Sequence, residues 1–247
     1  MDHAIPTGRK TGTLFIVGTP IGHPGDISLR ALEVLRMVDL IACEERRTAL
    51  RFLSRHDIEK ELVEVNEHTE KSETEQLVLD LAMGKNIALI SDCGMPVFAD
   101  PGTFLLTQAL DTGIPVTAVP GPTSLTTALV LSGFDAHRFY FYGFLSPKKE
   151  ERRGELLPLV RFPDPIVFLD APYRLLQVLE DLAAAFGTGR RAVVASDLTL
   201  RGEDVQRGTL GSLVRHFRED RRKREFVIIV GPERGRGGAG RAKKRER

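Results

Sequence analysis

Residues 91–102 read Ser-Asp-Cys-Gly-Met-Pro-Val-Phe-Ala-Asp-Pro-Gly. The stretch follows an apolar run at 86–90 and precedes apolar residues at helical spacing from 103 to 110. It is therefore expected to be a loop at the carboxyl end of a buried strand, which is where α/β sheets bind ligands. Gly94 lets a ligand approach the backbone, and Gly102 permits an unusual φ. Pro96 and Pro101 stiffen the loop. Asp92 and Asp100 give it charge. With Asp26 and Glu44, which also lie near strand ends, they are the carboxylates able to take a proton from a hydroxyl or to orient one. Each also has a structural alternative. Asp92 and Asp100 can cap the loop's own amides, Asp26 can cap the next helix, and Glu44 can pair with Arg47 or Arg51. His23, beside Pro24, can face an acceptor or the solvent.

The elements needed to hold this loop are legible. Residues 13–18 (Thr-Leu-Phe-Ile-Val-Gly) read as a strand ended by glycine. Ser28 is placed to cap a helix over 29–38. Residues 39–43 read as a second strand, and residues 44–47 open a second helix. Residues 64–74 are expected to be a charged loop, 75–83 a helix and 87–90 a strand. A helix over 103–112 and a strand over 115–119 complete the alternation. Strands alternating with helices predict a mostly parallel sheet covered on both faces. Pro120-Gly121-Pro122-Thr123-Ser124 is a stiff turn starting another helix, and the domain boundary is placed at 121/122. Beyond it, strands are expected at 139–144, 166–169, 192–195 and 226–230, and helices at 174–185 and 210–217. These predict a second, smaller α/β domain over 122–231, after a first over 13–121. Residues 1–12 are expected to be a flexible N-terminus.

The chain has 247 residues, 42% of them hydrophobic, and a formal net charge of +1. That permits one large domain or two of ordinary size, with a real core, and excludes a global field that would attract nucleic acid or membrane. No apolar run reaches membrane-spanning length, and no signal-peptide core is present. A cytosolic protein without membrane association is expected. The two cysteines, Cys43 and Cys93, lack metal-ligand spacing and read as buried free thiols. The last seventeen residues, 231–247, carry seven Lys or Arg and two Glu. Residues 232–247 are expected to form a basic disordered tail.

Six stretches together carry a resemblance. Residues 19–26 (Thr-Pro-Ile-Gly-His-Pro-Gly-Asp), 91–102, 120–124, 144–149 (Phe-Leu-Ser-Pro-Lys-Lys), 170–174 (Asp-Ala-Pro-Tyr-Arg) and 195–199 (Ala-Ser-Asp-Leu-Thr) stand in one order and spacing. In that order they resemble the tetrapyrrole methylase superfamily. Within it they are similar to the branch that 2′-O-methylates a cytidine ribose at the decoding centre of 16S ribosomal RNA. The chain departs from the family pattern at His23 and Pro24, at residues 45–47, at Cys93 and Met95, and at residues 170–173 and 196–197.

The resemblance implies two α/β domains with S-adenosyl-L-methionine in a cleft between them, and a homodimer. It implies cofactor contacts from Pro20, from Asp92, Cys93, Gly94, Met95 and Phe98, from Thr123 and Ser124, and from Asp170 and Leu198. Phe98 and Leu198 are equally readable as core. Asp26, Glu44 and Asp100 are then the candidate catalytic groups, since a ribose hydroxyl is weakly acidic and must lose its proton as the methyl arrives. RNA contact requires positive charge, which Lys148, Lys149, Arg152 and Arg153 supply in one cluster and residues 221–224 in another. The aromatic residues 139–142 can stack bases, although strand alternation leaves about half in the core. The partner is then 16S ribosomal RNA or the small ribosomal subunit. The alternatives are carbon methylation of a tetrapyrrole or corrin precursor, and a non-catalytic RNA-binding assembly factor.

Overall fold

The computed structural model describes residues 11–233 except 67, 99 and 221. Most of the basic tail, residues 234–247, and residues 1–10 of the N-terminal stretch lie outside the described residues. The chain divides into two compact units, one ending at Thr123 and the next beginning at Ser124.

The N-terminal unit is a five-stranded sheet. Its strands are β1 (Leu14–Val17), β2 (Leu40–Cys43), β3 (Glu61–Glu64), β4 (Ile87–Ile90) and β5 (Val116–Val119). Their order is β3-β2-β4-β1-β5, and every neighbouring pair is parallel. β2 and β4 are buried along their whole length, as continuous apolar runs require. Helices α1 (Leu29–Met37) and α2 (Arg46–Ser54) pack on one face, with Ala31, Leu35, Ala49 and Leu53 in a common core. Helices α3 (Glu70–Ala82) and α4 (Thr103–Asp111) pack on the other, through Leu77, Leu81, Leu105 and Ala109. Right-handed crossovers force this split, because α1 and α2 carry the chain one way across the sheet and α3 and α4 carry it back. The helices leaving the neighbouring strands β1 and β4 therefore lie on opposite faces. This is a topological switch point, where loops part and leave a crevice.

The C-terminal unit has its own five-stranded sheet, so it is not the smaller one by strand count. Its strands are β6 (Tyr140–Phe144), β7 (Ile166–Leu169), β8 (Arg191–Ser196), β9 (Asp204–Thr209) and β10 (Phe226–Val230), with helices α5 (Ser124–Ser132), α6 (Lys149–Leu156), α7 (Leu175–Phe186) and α8 (Leu210–Glu219). The order is β6-β7-β10-β8-β9, mixed in direction, with only β6 and β7 parallel. Thr209 caps α8 in a reciprocal capping box with Ser212.

Two expectations are corrected, and three elements, α6, β3 and β9, come in addition to those expected. α3 starts at Glu70, inside the segment expected to be a loop. Residues 149–156, a charged segment, form α6. β3 and β9 are edge strands with little apolar content, and neighbouring strands supply the pairing that their sequences do not advertise. Cys93 is exposed rather than buried, whereas Cys43 is buried and its thiol is pushed up to about 12, chiefly by burial.

Candidate functional site

Three loops leave the carboxyl ends of β4, β1 and β5 and are tied together by backbone. Thr19 N–H donates to the Gly94 carbonyl at 2.8 Å, and Gly94 N–H donates back at 3.2 Å. Thr19 Oγ1 also donates to the Ser91 carbonyl at 3.3 Å. Gly18 and Gly121 touch so closely that a Cβ on Gly18 would lie 2.7 Å from Gly121 Cα and 2.6 Å from Met95 Sδ. Glycine is required at both positions because any side chain would force the loops after β1 and β5 apart. The central loop is held in unusual conformations, with Gly94 at φ +79° and Val97 at φ +73°. For a β-branched residue such as Val97, the left-handed region costs roughly 1–2 kcal/mol, and the surrounding packing must enforce it.

The acidic groups gather here unevenly. Asp92 Oδ1 accepts the N–H of Glu45, the N-cap residue of α2, at 3.2 Å. Asp92 N–H points at Glu44 Oε2 at 3.5 Å. Partial burial of its carboxyl, then the Glu44 charge, push Asp92 up to about 6. Asp100 is also raised, by burial first, while a hydrogen bond with Ser91 opposes the rise and the Asp92 charge adds to it. Asp26 sits apart, exposed in a short 3-10 turn at Pro24–Asp26. The cap of α1 is Ser28, whose Oγ accepts from Ala31 N–H at 3.1 Å, so capping α1 is not the role of Asp26.

Beside Asp92 is a cavity of about 190 Å³ lined by Thr19, Pro20, Phe52, Arg51, Arg55 and Asp92 among others. It lies on the α1 and α2 face. Met95 and Val97 instead pack into the core beneath α3 and α4. The central loop thus has two sides, with Asp92 facing one and Met95 the other. Phe98 is 47% exposed, which rules out plain core packing. Thr123 ends the N-terminal unit and Ser124 opens α5.

In the C-terminal unit, Asp170 is buried at the end of β7. Its Oδ1 accepts Ala171 N–H at 2.7 Å and faces Arg174 at 3.1 Å, while Oδ2 is buried with no hydrogen-bond partner. Burial raises the Asp170 carboxyl against the lowering effects of that amide and of Arg174. Leu198 is buried.

The basic cluster at 148–153 does not stand as expected. Arg152 is fully buried, with Nε 2.8 Å and Nη2 2.6 Å from Asp181 Oδ2, and it donates to the Ser146 and Pro147 carbonyls. It cannot reach RNA, and its charge serves the core of the unit. Lys148 pairs with Glu151 at 2.8 Å, and Arg153 lies 4.0 Å from Asp181, so Lys149 is the exposed cation of the four without an ion pair among the described residues. In the second cluster Arg222 and Arg224 are paired too, while the exposed Lys223 has no ion pair among the described residues. Arg224 is 6% exposed between Asp204 at 3.1 Å and Asp220 at 2.9 Å, and Arg222 holds Asp220 at 2.7 Å. Of the aromatic stretch, Tyr142 packs on Phe168 in the core, while Phe139 and Tyr140 are each 40% exposed.

Two features of the site were not anticipated. Glu70 Oε1 accepts the N–H groups of Gly102 and Phe104, both at 2.9 Å, and so caps α4 from another helix. Arg51 and Arg55 line the cavity. Their sequence signal was the i, i+4 repeat with Arg47 on one helical face. Among the described residues, no group of His, Cys, Asp and Glu is arranged to hold a metal, and no helix is long and apolar enough to cross a membrane.

Comparison with known proteins agrees with this architecture. Residues 13–214 match the family model of tetrapyrrole (corrin/porphyrin) methylases. The chain is 43% identical to a ribosomal RNA small subunit methyltransferase I from Xylella fastidiosa, over 89% of this chain and 81% of that one. It is 41% identical to the protein of that name from Escherichia coli O157:H7, over 90% and 78%. Among solved structures, a diphthine synthase shares the fold with a TM-score of 0.72 at 19% identity, covering 89% of each chain. A uroporphyrin-III-C-methyltransferase from Thermus thermophilus shares it at 0.62 and 22%, over 89% and 94%. The switch-point crevice, the laced glycine loops and these similarities have one explanation: the chain belongs to the tetrapyrrole methylase family of S-adenosylmethionine-dependent methyltransferases.

Proposed function

We propose that this protein methylates small-subunit (16S) ribosomal RNA, transferring a methyl group from S-adenosylmethionine to the 2′-hydroxyl of a cytidine ribose. The name that its relatives carry, ribosomal RNA small subunit methyltransferase I, supports the substrate class. The observation that carries the chemistry is Asp92, a carboxylate raised to about 6 on the wall of a cavity at the switch point. A base of that strength is ionised at neutral pH yet retains affinity for a proton.

The residues present fit the cofactor. Gly94 ties the central loop to Thr19 through both of its backbone groups, and Ile21 lies 3.5 Å from where a Cβ would stand. Gly94, Cys93, Met95 and the exposed Phe98 would form the binding edge, with Pro20, Thr123 and Ser124 beside it. Within the C-terminal unit, the orphaned Oδ2 of Asp170 is an unused acceptor of the kind a ligand hydroxyl or amine would satisfy. When bound, the cofactor supplies a methyl group already activated by its sulfonium. The protein's remaining tasks are alignment, which can supply roughly 7–11 kcal/mol, and removal of the hydroxyl proton. Asp92 takes that proton, and Glu44 keeps its carboxyl basic through its charge; Asp100 is itself raised in part by the Asp92 charge, and Asp26 sits apart from them. The protein acts as a homodimer in this reading.

The test is to incubate the purified protein with labelled S-adenosylmethionine and small-subunit RNA, free or assembled, and to map the label. A 2′-O-methyl blocks alkaline cleavage at its own nucleotide, so the labelled cytidine should emerge as an alkali-resistant dinucleotide. Label on a base, or on no RNA, would overturn the proposal.

A further inference from the structure

The cations expected to hold RNA are largely spent on carboxylates, and a different set stands free. Helix α2 has no acidic residue in its first turn, and Arg47, Arg51 and Arg55 repeat along it at i, i+4 and i+8. All three are exposed, and among the described residues none is tied to a carboxylate by an ion pair or hydrogen bond. Side chains four apart on a helix share one face, so the three guanidiniums form one row. Two of them, Arg51 and Arg55, line the 190 Å³ cavity together with Phe52, Thr48, Pro20 and Asp92. α6, by contrast, carries three acidic residues among its own three basic ones.

The charge of the row decides what it can hold. S-adenosylmethionine has two cationic groups and one carboxylate, so a wall of two unpaired guanidiniums repels it. A phosphodiester is anionic, and guanidinium recognises it with paired donors. The cavity is smaller than the roughly 300–1,000 Å³ of a typical whole-ligand site and suits a single sugar or base. The apolar wall of Phe52, Ala49 and Ile90 suits that unit's face. We propose that the α2 row is the acceptor-strand track: Arg47, Arg51 and Arg55 hold consecutive RNA phosphates, and the cavity takes the nucleotide whose ribose meets Asp92. The assignment rests on RNA being the substrate and adds where the strand lies.

The experiment uses the full chain with a fluorescent single-stranded RNA taken from the small subunit, binding being followed by anisotropy across a salt series. Each phosphate contact contributes about 0.7 to the slope of log affinity against log salt for single strands. Replacing Arg47, Arg51 and Arg55 together by Ala should flatten the slope by about 2, and the single variants Arg51→Gln and Arg55→Gln by about 0.7 each. Calorimetric affinity for S-adenosylmethionine should be unchanged in all of them. A wild-type slope in the triple variant overturns the track. Loss of cofactor affinity together with RNA affinity overturns it as well, by giving the cavity to the cofactor. Failure of the underlying reading looks different: the wild-type protein itself would then bind no RNA.

Discussion

Replacing Arg152 by Ala separates a core residue from an RNA contact. The change leaves Asp181, whose side chain is 7% exposed, without its guanidinium partner. Breaking a buried pair by removing one member costs about 3–5 kcal/mol. Two details push the value to the lower end. Arg153 is 4.0 Å from Asp181 and can swing closer. The Ser146 carbonyl keeps a second donor in Arg174 Nη2 at 2.9 Å, and Pro147 is exposed, so water can serve its carbonyl. The expected loss is about 3 kcal/mol, or a fall of about 10 °C in Tm at the usual 2–4 °C per kcal/mol for a chain of this size. Thermal and urea unfolding measure it, and RNA affinity well below the transition should be unchanged. The double variant Arg152→Met, Asp181→Leu should recover most of the loss, because an apolar pair of similar volume removes the stranded charge. A stability within about 0.5 kcal/mol of wild type, with RNA affinity reduced, would refute the burial argument and return Arg152 to the surface.

Asp92 makes a pH-dependent prediction. Its folded value of about 6 exceeds the ordinary 3.8, so the fold holds its proton more tightly than the unfolded chain does. The corresponding stability is present below about pH 4 and is lost as pH rises through about 6. Asp92→Asn should therefore melt higher than wild type at neutral pH and equally near pH 4; equal melting throughout would contradict the raised value. If Asp92 is the base, the wild-type methyl-transfer rate should climb through about pH 6, and the variant should lose that limb with roughly 10²-fold or more of rate. Gly121→Ala should destabilise the N-terminal unit by about 1–3 kcal/mol, since its Cβ would lie 2.8 Å from the Gly18 backbone. Gly154→Ala in α6, where a Cβ meets nothing within 4 Å, should be neutral or stabilising and serves as the control. Denaturant unfolding of the pair checks both, and similar midpoints would show that the loops are not in contact.

The sequence by itself determined the sheet strands that are buried on both faces. Residues 87–90, 166–169 and 226–230 are uninterrupted apolar runs and form β4, β7 and β10 with those bounds. It also determined the ligand loops, because Gly and Pro restrict the backbone locally and need no distant partner to do so. Its six motifs were enough for the family. What it did not determine depends on which residues meet across the fold. The polar edge strands β3 and β9 are held by neighbours' hydrogen bonds, and α4 is capped by Glu70, thirty-two positions before Gly102. Whether an arginine is a core residue or a free surface charge depends on where carboxylates lie: Asp181 captures Arg152, and nothing among the described residues captures Arg51. The strength of Asp92 is likewise set by burial and by Glu44, forty-eight residues away in the chain. Charge pairing and desolvation are properties of the packed surroundings, so the tertiary structure alone decided them.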